Sequence, residues 1–185
     1  MSMVGNPAHV AIGPLDVDLI GRARAGDDEA FASLLGPIVA SGYRLAGAML
    51  HDQHAAEDAV QEASLKAWRS LHQLRAGAEI RPWFLGIVAN ECKSMRRTRW
   101  WSVLKFPDVE PPTMPSSDAH SKFSELRRGI RRLKHRRRLM LVLHWYLDLP
   151  MSEIAVITRS SEDAVKSEVS RAMRQLRDLI GVENI

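Results

Sequence analysis

The stretch Ala56-Glu57-Asp58-Ala59-Val60-Gln61-Glu62 gathers three carboxylates and an amide within six positions. On a helix, residues four apart share a face, so Glu57 with Gln61 and Asp58 with Glu62 form one polar patch opposite a Val60 stripe. Asp58 and Glu62 are like charges at that spacing and cost the helix roughly a few tenths of a kcal/mol. Such a patch suits a basic protein surface, although a plain solvated helix face has the same composition. A second set spans the loop from His72 to Ile80 and the basic segment after it: His72, Gln73, Arg75, Glu79, Arg81, Asn90, Lys93, Arg96 and Arg97. Aromatic faces and Arg planes stack unpaired bases while Lys and Arg track the backbone, which is the chemistry that holds an opened strand. Trp83 and Phe84 are assigned to the core, because rings at helical spacing are more often packed inside. A third set, Ser161, Lys166, Ser167, Ser170, Arg171 and Arg174, stands on one late segment. There, Arg or Lys can read guanine edges in a major groove while the rest contact phosphates.

These sets need rigid carriers, and the apolar pattern supplies helices. Phe31, Leu34, Leu35, Ile38, Val39, Leu45, Ala46, Met49 and Leu50 recur three or four apart, which predicts a helix from about Asp27 to Leu50, kinked or broken at Pro37. Asp52 is placed to cap a second helix to about Leu71, burying Ala56, Val60, Ala63 or Ser64, Ala67 and Leu71. Pro82 suits the first turn of a third, carrying Trp83, Phe84, Ile87, Val88 and Cys92 and ending in basic residues before Trp100. Further helices are expected over Lys122–Lys134, Arg136–Leu147, Met151–Thr158 and Glu162–Leu179. The last two, a short helix, a turn and a longer helix, have the layout of a helix-turn-helix. Strand signals are nearly absent, so the fold class is all-α. Pro107, Pro111, Pro112 and Pro115 with Ser116 and Ser117 cannot sustain a helix. The chain therefore divides into a tail at 1–14, a domain at 15–100, an extended linker at 101–121 and a second domain at 122–185.

With 185 residues, 45% hydrophobic and 26% charged, the chain can fill two small helical cores and no large enzyme. Net charge is only +4, so the placement of charge matters more than its sum. Basic residues number four in seven over Lys93–Arg99 and eight in twelve over Arg127–Arg138. The latter run can contact phosphates, hold an acidic partner, or simply be solvated. Cys92 is alone, which excludes an internal disulfide and fits the cytoplasm. No secretory leader or membrane span is read in the chain. No phosphate-cradling glycine loop, metalloprotease motif or cysteine pair appears, so neither catalysis nor a cofactor or metal is expected. His51 and His54, lacking further ligands, are read as helix-end residues.

The block at 56–62 resembles the Ala-Glu-Asp-x-x-Gln-Glu motif of region 2.2 in sigma factors of the bacterial sigma-70 family, specifically its extracytoplasmic-function (group 4) branch. Gly26-Asp27, Ala30-Phe31, Ala67-Trp68, Pro82-Trp83-Phe84-Leu85 and Ile87 to Asn90 agree with that pattern. Glu153-Ile154-Ala155, Val165-Lys166-Ser167 and Arg171-Ala172 are similar to sigma region 4. The resemblance implies a transcription initiation factor. Glu57, Asp58, Gln61 and Glu62 would dock on the coiled coil of the polymerase β′ subunit. The 72–97 set would capture the minus-10 strand, and the late helix would read the minus-35 duplex beside the β flap. It also implies that an anti-sigma factor is a candidate acidic partner for the Arg127–Arg138 run.

Departures from the pattern concentrate in the second half. Thr158-Arg159 replaces the usual Leu-Gly at the turn, where a non-Gly residue at positive φ costs on the order of 1 kcal/mol. Asp163-Ala164 replaces Gly-Thr, and Glu168 replaces an Arg, so it is expected to face phosphates unfavourably. Ser94 replaces an Asp. The rival readings are a free-standing helix-turn-helix regulator, which would need an apolar self-complementary surface to dimerise, and a helical interaction protein without DNA binding.

Overall fold

The computed structural model describes residues 14–105 and 122–181, and every regular element among them is helical. The first helix, α1 (Pro14–Arg24), opens at the last residue of the expected tail and otherwise lies in the first domain, ahead of the first helix expected there. Pro14 opens it, and Arg22 and Arg24 sit in its last turn, where cations favour the helix dipole. Eleven residues are too few for periodicity alone to announce a helix. Tertiary contacts hold it instead: Ala23 joins Ala30, Leu34, Leu71 and Leu74 in a small core, and Arg24 donates to the carbonyls of Leu71 and Leu74. Residues 1–13 of the expected tail lie outside the described residues.

Helix α2 (Asp28–Leu50) starts at Asp27, whose carboxylate accepts from the Ala30 amide at 3.0 Å. The expected break at Pro37 does not occur, and the helix is continuous through it. Leu34, Leu35 and Ile38 are buried on both sides of the proline, so packing outweighs the lost backbone bond. His51 ends the helix in the left-handed region at φ 56°. Asp52 then caps α3 (Gln53–Ser70) as expected, accepting from the Ala55 amide at 3.1 Å. Ala56, Ala59, Val60, Ala63 and Ala67 form its buried stripe.

After a short 3-10 turn at Leu71–Gln73, α4 (Ile80–Lys105) begins before Pro82 and continues past Trp100, into the stretch assigned to the linker. No proline interrupts the sequence until Pro107, which explains the extension. The remaining linker residues, 106–121, lie outside the described residues. Phe84, Leu85, Val88 and Cys92 of α4 are fully buried against α2 and α3, forming a three-helix bundle.

The second half contains α5 (Lys122–Arg132), α6 (His135–Leu141), α7 (Met151–Thr158) and α8 (Glu162–Ile180). The single helix expected over Arg136–Leu147 is α6 followed by a π-helical turn, Val142–Tyr146. That turn leaves Trp145 and Tyr146 exposed beside buried Val142 and Leu143. Gly129 lets α5 meet α8, because a Cβ there would stand 2.7 Å from Ile180 Cγ2 and 2.8 Å from Leu176 Cδ1.

One hydrophobic core runs through both halves, from Leu45 and Phe84 to Ile154 and Leu176. Polar ties follow the same seam. The Arg44 guanidinium donates to the Tyr146 carbonyl at 2.6 Å and lies 5.2 Å from that residue's ring centre. Arg138, only 6% exposed, donates to the carbonyls of Ile130, Arg131, Leu133 and Met49, the last across the seam. The Arg127–Arg138 run is thus not a uniform solvated or ligand-holding surface. Arg138 staples the backbone, Arg137 reaches Gln175 at 2.7 Å, and Arg136 reaches Ser160 at 2.9 Å.

Candidate nucleic-acid and protein interfaces

On α3, Glu57, Asp58 and Gln61 are exposed and Glu62 is half-buried, so the predicted patch forms on one outward face. Gln53 donates to Glu57 at 3.1 Å. The like-charge cost at Glu62 is offset by Lys66, whose Nζ lies 3.4 Å from Glu62 and 2.7 Å from Glu91 of α4. The hydrogen bond to Glu91 holds the Lys66 ammonium above its ordinary pKa. Sequence reasoning missed Lys66, although Glu62 to Lys66 is a favourable spacing of four that was there to be read.

The second set divides by environment. Gln73, Arg75, Glu79 and Asn90 line a cleft of about 890 Å³, together with Trp83 on the same side and Glu153 of α7 and Arg159 just after it opposite. Phe84 is fully buried as expected, whereas Trp83 is only partly covered and contributes to the cleft wall. His72, Lys93 and Arg97 are exposed and lie outside the cleft lining. Arg81 and Arg96 turn toward the second half: Arg81 Nη1 lies 3.8 Å from Glu153 Oε1, and Arg96 donates to His135 Nδ1 at 2.9 Å. Burial, with Arg96 next in effect, lowers the His135 pKa to about 4, so this imidazole is neutral near neutral pH. His51 is held down to about 4 by burial and by Arg131, Arg138 and Arg96. Both histidines are packing groups. His51 caps α2 and His54 lies in the first turn of α3; among the described residues no group of three or more potential ligands could hold a metal ion.

The third set stands on α8. Ser161 caps it, its hydroxyl accepting from the Ala164 amide at 3.3 Å, while Lys166, Ser167, Ser170, Arg171 and Arg174 are exposed. The turn before it carries the anticipated strain, since Arg159 adopts φ 51°. Glu168 corrects the sequence-based expectation. Instead of facing phosphates it is turned inward, 3.3 Å from Arg137 and 2.8 Å from Arg171. Its carboxyl is held below the usual range, mainly by the hydrogen bond from Arg171. Lys166, Ser170 and Arg174 also rim an apolar groove of about 820 Å³ whose floor includes Val142, Val169 and Met173, with Trp145 and Tyr146 on its edge.

Residues 37–102 match the family model for sigma-70 region 2, and residues 123–176 match that for sigma-70 region 4. The chain belongs to the sigma-70 family. Among its relatives, RNA polymerase sigma factor SigV of Bacillus subtilis is 29% identical over 144 residues, covering 77% of this chain and 86% of the relative. The extracytoplasmic-function sigma factor SigM of Mycobacterium tuberculosis is 28% identical, covering 91% and 86%. In fold, this sigma factor is similar to CnrH solved with the cytosolic domain of CnrY, with TM-score 0.69 at 20% identity over 92% of this chain and 99% of that one. It is likewise similar to RpoE of Bartonella quintana solved with the anti-sigma factor NepR, with TM-score 0.67 at 23% identity over 83% and 98%. The acidic patch and the cleft's α4 wall fall within the region 2 match of this sigma factor, and the helix-turn-helix falls within its region 4 match. Among the described residues no helix is long and apolar enough to cross a membrane.

Proposed function

We propose that this sigma factor binds core RNA polymerase through Glu57, Asp58, Gln61 and Glu62 and directs it to promoters. The observation that carries this reading is the acidic face of α3, exposed and backed by a rigid alanine-rich stripe, inside the region 2 match. A partner's basic surface is drawn to such a patch and fixed in register by it. SigV and SigM, by name, act with the same enzyme or as the same class of factor. Residues 15–100, with the end of α4, form the docking and minus-10 domain, and residues 122–185 form the minus-35 domain. His72, Gln73, Arg75, Glu79, Arg81, Asn90, Lys93, Arg96 and Arg97 receive the opened strand. Ser161, Lys166, Ser167, Ser170, Arg171 and Arg174 meet the minus-35 duplex.

Two further partners follow from the surface. The apolar groove edged by Trp145 and Tyr146 is the seat we assign to the β flap, because an amphipathic helix fills such a groove with its apolar face. The exposed members of the basic run, Arg127, Arg128, Arg131, Arg132, Lys134 and Arg136, suit an acidic anti-sigma segment. The docking assignment is tested with Asp58→Arg combined with Glu62→Arg. Binding to purified core polymerase is expected to be abolished with helical content unchanged, and undiminished binding refutes the assignment.

A further inference from the structure

Among the exposed cations of α8, Arg171 is held differently from the rest. Lys166 meets Asp163 at 3.5 Å, on a side chain that is 94% exposed, and such a surface pair fixes little. Arg171 Nη1 donates to Glu168 Oε1 at 2.8 Å, where the carboxylate side chain is 22% exposed and the guanidinium 55%. Glu168 is itself held from behind. Arg137 of α6 donates through Nε to its other oxygen, Oε2, at 3.3 Å and through Nη1 to Gln175 of α8 at 2.7 Å. Each carboxylate oxygen thus has its own guanidinium, and the hydrogen bond from Arg171, the larger cause, holds the carboxyl below its usual range. The helical period puts residue 168 at the border of the buried stripe Val165, Val169, Ala172 and Leu176, and residue 171 one step further out. The bond to Glu168 occupies Nη1, and the edge formed by Nη2 and Nε carries no bond to the described residues. Such an open fork is what pairs bidentately with O6 and N7 of guanine.

We propose that Glu168 is a positioning residue for promoter reading, fixing the rotamer of Arg171 so that the open edge of its guanidinium is presented to one guanine of the duplex. The inference rests on the minus-35 assignment above and goes beyond it by naming what sets the selectivity of one of its residues. An unbraced arginine spreads over many rotamers, reaches phosphates as readily as bases, and loses side-chain entropy when a base orders it. A braced one is already ordered in the folded chain, so more of its pairing energy appears as discrimination. On sequence-independent binding the carboxylate has the opposite effect, since it repels phosphates and neutralises a neighbouring cation. Glu168 therefore lowers general affinity while raising selectivity, and its removal is expected to move the two in opposite directions. A brace that only stabilised the fold would lower both when removed.

The test uses the free full chain at low salt and a library of randomised duplex DNA, with bound molecules sequenced and affinity for the unselected library read by fluorescence anisotropy. The wild type is expected to enrich a motif containing a guanine whose preference Arg171→Ala abolishes. Glu168→Ala is expected to reduce the preference at that same position roughly fivefold, to leave the other positions as they are, and to bind unselected duplex severalfold more tightly. In the Arg171→Ala background, Glu168→Ala is expected to change the motif no further. An unchanged guanine preference in Glu168→Ala overturns the proposal. So does a stronger preference, which would mean that the carboxylate holds Arg171 away from the bases. Weaker binding to unselected duplex, losses spread evenly over the motif, or a further change in the double variant overturn it as well. Glu168→Gln keeps the shape of the side chain and is expected to give a smaller loss at the same position; it decides if Glu168→Ala loses its helical signal. No enriched motif, or one untouched by Arg171→Ala, overturns the minus-35 assignment together with this proposal. A motif that responds to Arg171→Ala and not to Glu168→Ala overturns this proposal alone. No polymerase is used, so the docking reading stands or falls separately, on core binding by the wild-type chain.

Discussion

Glu168 shows how a residue that looks unfavourable in sequence can be doing structural work. It stands where an arginine is usual, yet its carboxylate ties α8 to α6 through Arg137 and steadies Arg171. Glu168→Gln is expected to lower stability by about 1 kcal/mol or less, read as a shift in the denaturation midpoint, because the pair is only partly shielded. Its depressed pKa means that this contribution is present at neutral pH and is lost as pH falls through and below the usual carboxylate range. The two neutral histidines act in a neighbouring window. His51 faces Arg96, Arg131 and Arg138, and His135 faces Lys93, Arg96 and Arg138, from α4, α5 and α6. Their folded pKa values, about 4, lie below the ordinary 6.5, so the unfolded chain binds more protons between those limits and stability falls as pH is lowered through them. Thermal unfolding followed from pH 7 to 4 is expected to show this loss in the wild type. The slope is expected to flatten in His51→Asn with His135→Gln, which keep the left-handed cap and an acceptor for Arg96.

At the scale of elements, the helix-turn-helix carries its strain at Arg159. Arg159→Gly is expected to raise stability by about 0.5–1 kcal/mol, because glycine adopts φ 51° without a Cβ conflict; calorimetry checks it. Arg138→Leu is expected to cost about 2–4 kcal/mol in urea denaturation, since it strands backbone carbonyls of α5 and α2 that now receive a buried guanidinium. What was legible in the sequence had local causes. Asp52 as a cap, the helix start near Asp27, the alanine stripe of α3, the polar patch opposite it and the late helix-turn-helix all follow from spacing within a few residues. The unread features depend on distant partners. α1 is held by Leu71 and Leu74, the helix through Pro37 by Leu34 and Leu35 before it and Ile38 after it, and Arg138 by four carbonyls from three segments. The basic density of Arg127–Arg138 was visible, but nothing local said that its last member points inward. Of the candidate site, the residue types were legible and the α7 wall of the cleft was not, because that wall comes from a segment more than sixty residues away from Asn90.

The whole molecule joins the acidic face of α3, the cleft between α4 and α7 and a helix-turn-helix through one core. On the proposed minus-35 assignment duplex contact rests on a few exposed cations of α8, so binding of the free chain to promoter duplex is expected to be weak and steeply dependent on salt, measurable as the slope of log affinity against log salt. Tight, salt-insensitive binding as a free dimer would instead favour a regulator that works without polymerase. The central claim, that this sigma factor confers promoter choice on core polymerase through the face of α3, is tested most directly by in vitro transcription over a promoter library. Wild-type chain added to purified core enzyme is predicted to produce transcripts from a defined subset of promoters, and Asp58→Arg with Glu62→Arg to produce none. A transcript profile unchanged by the wild-type chain, or produced equally by the double variant, would contradict it.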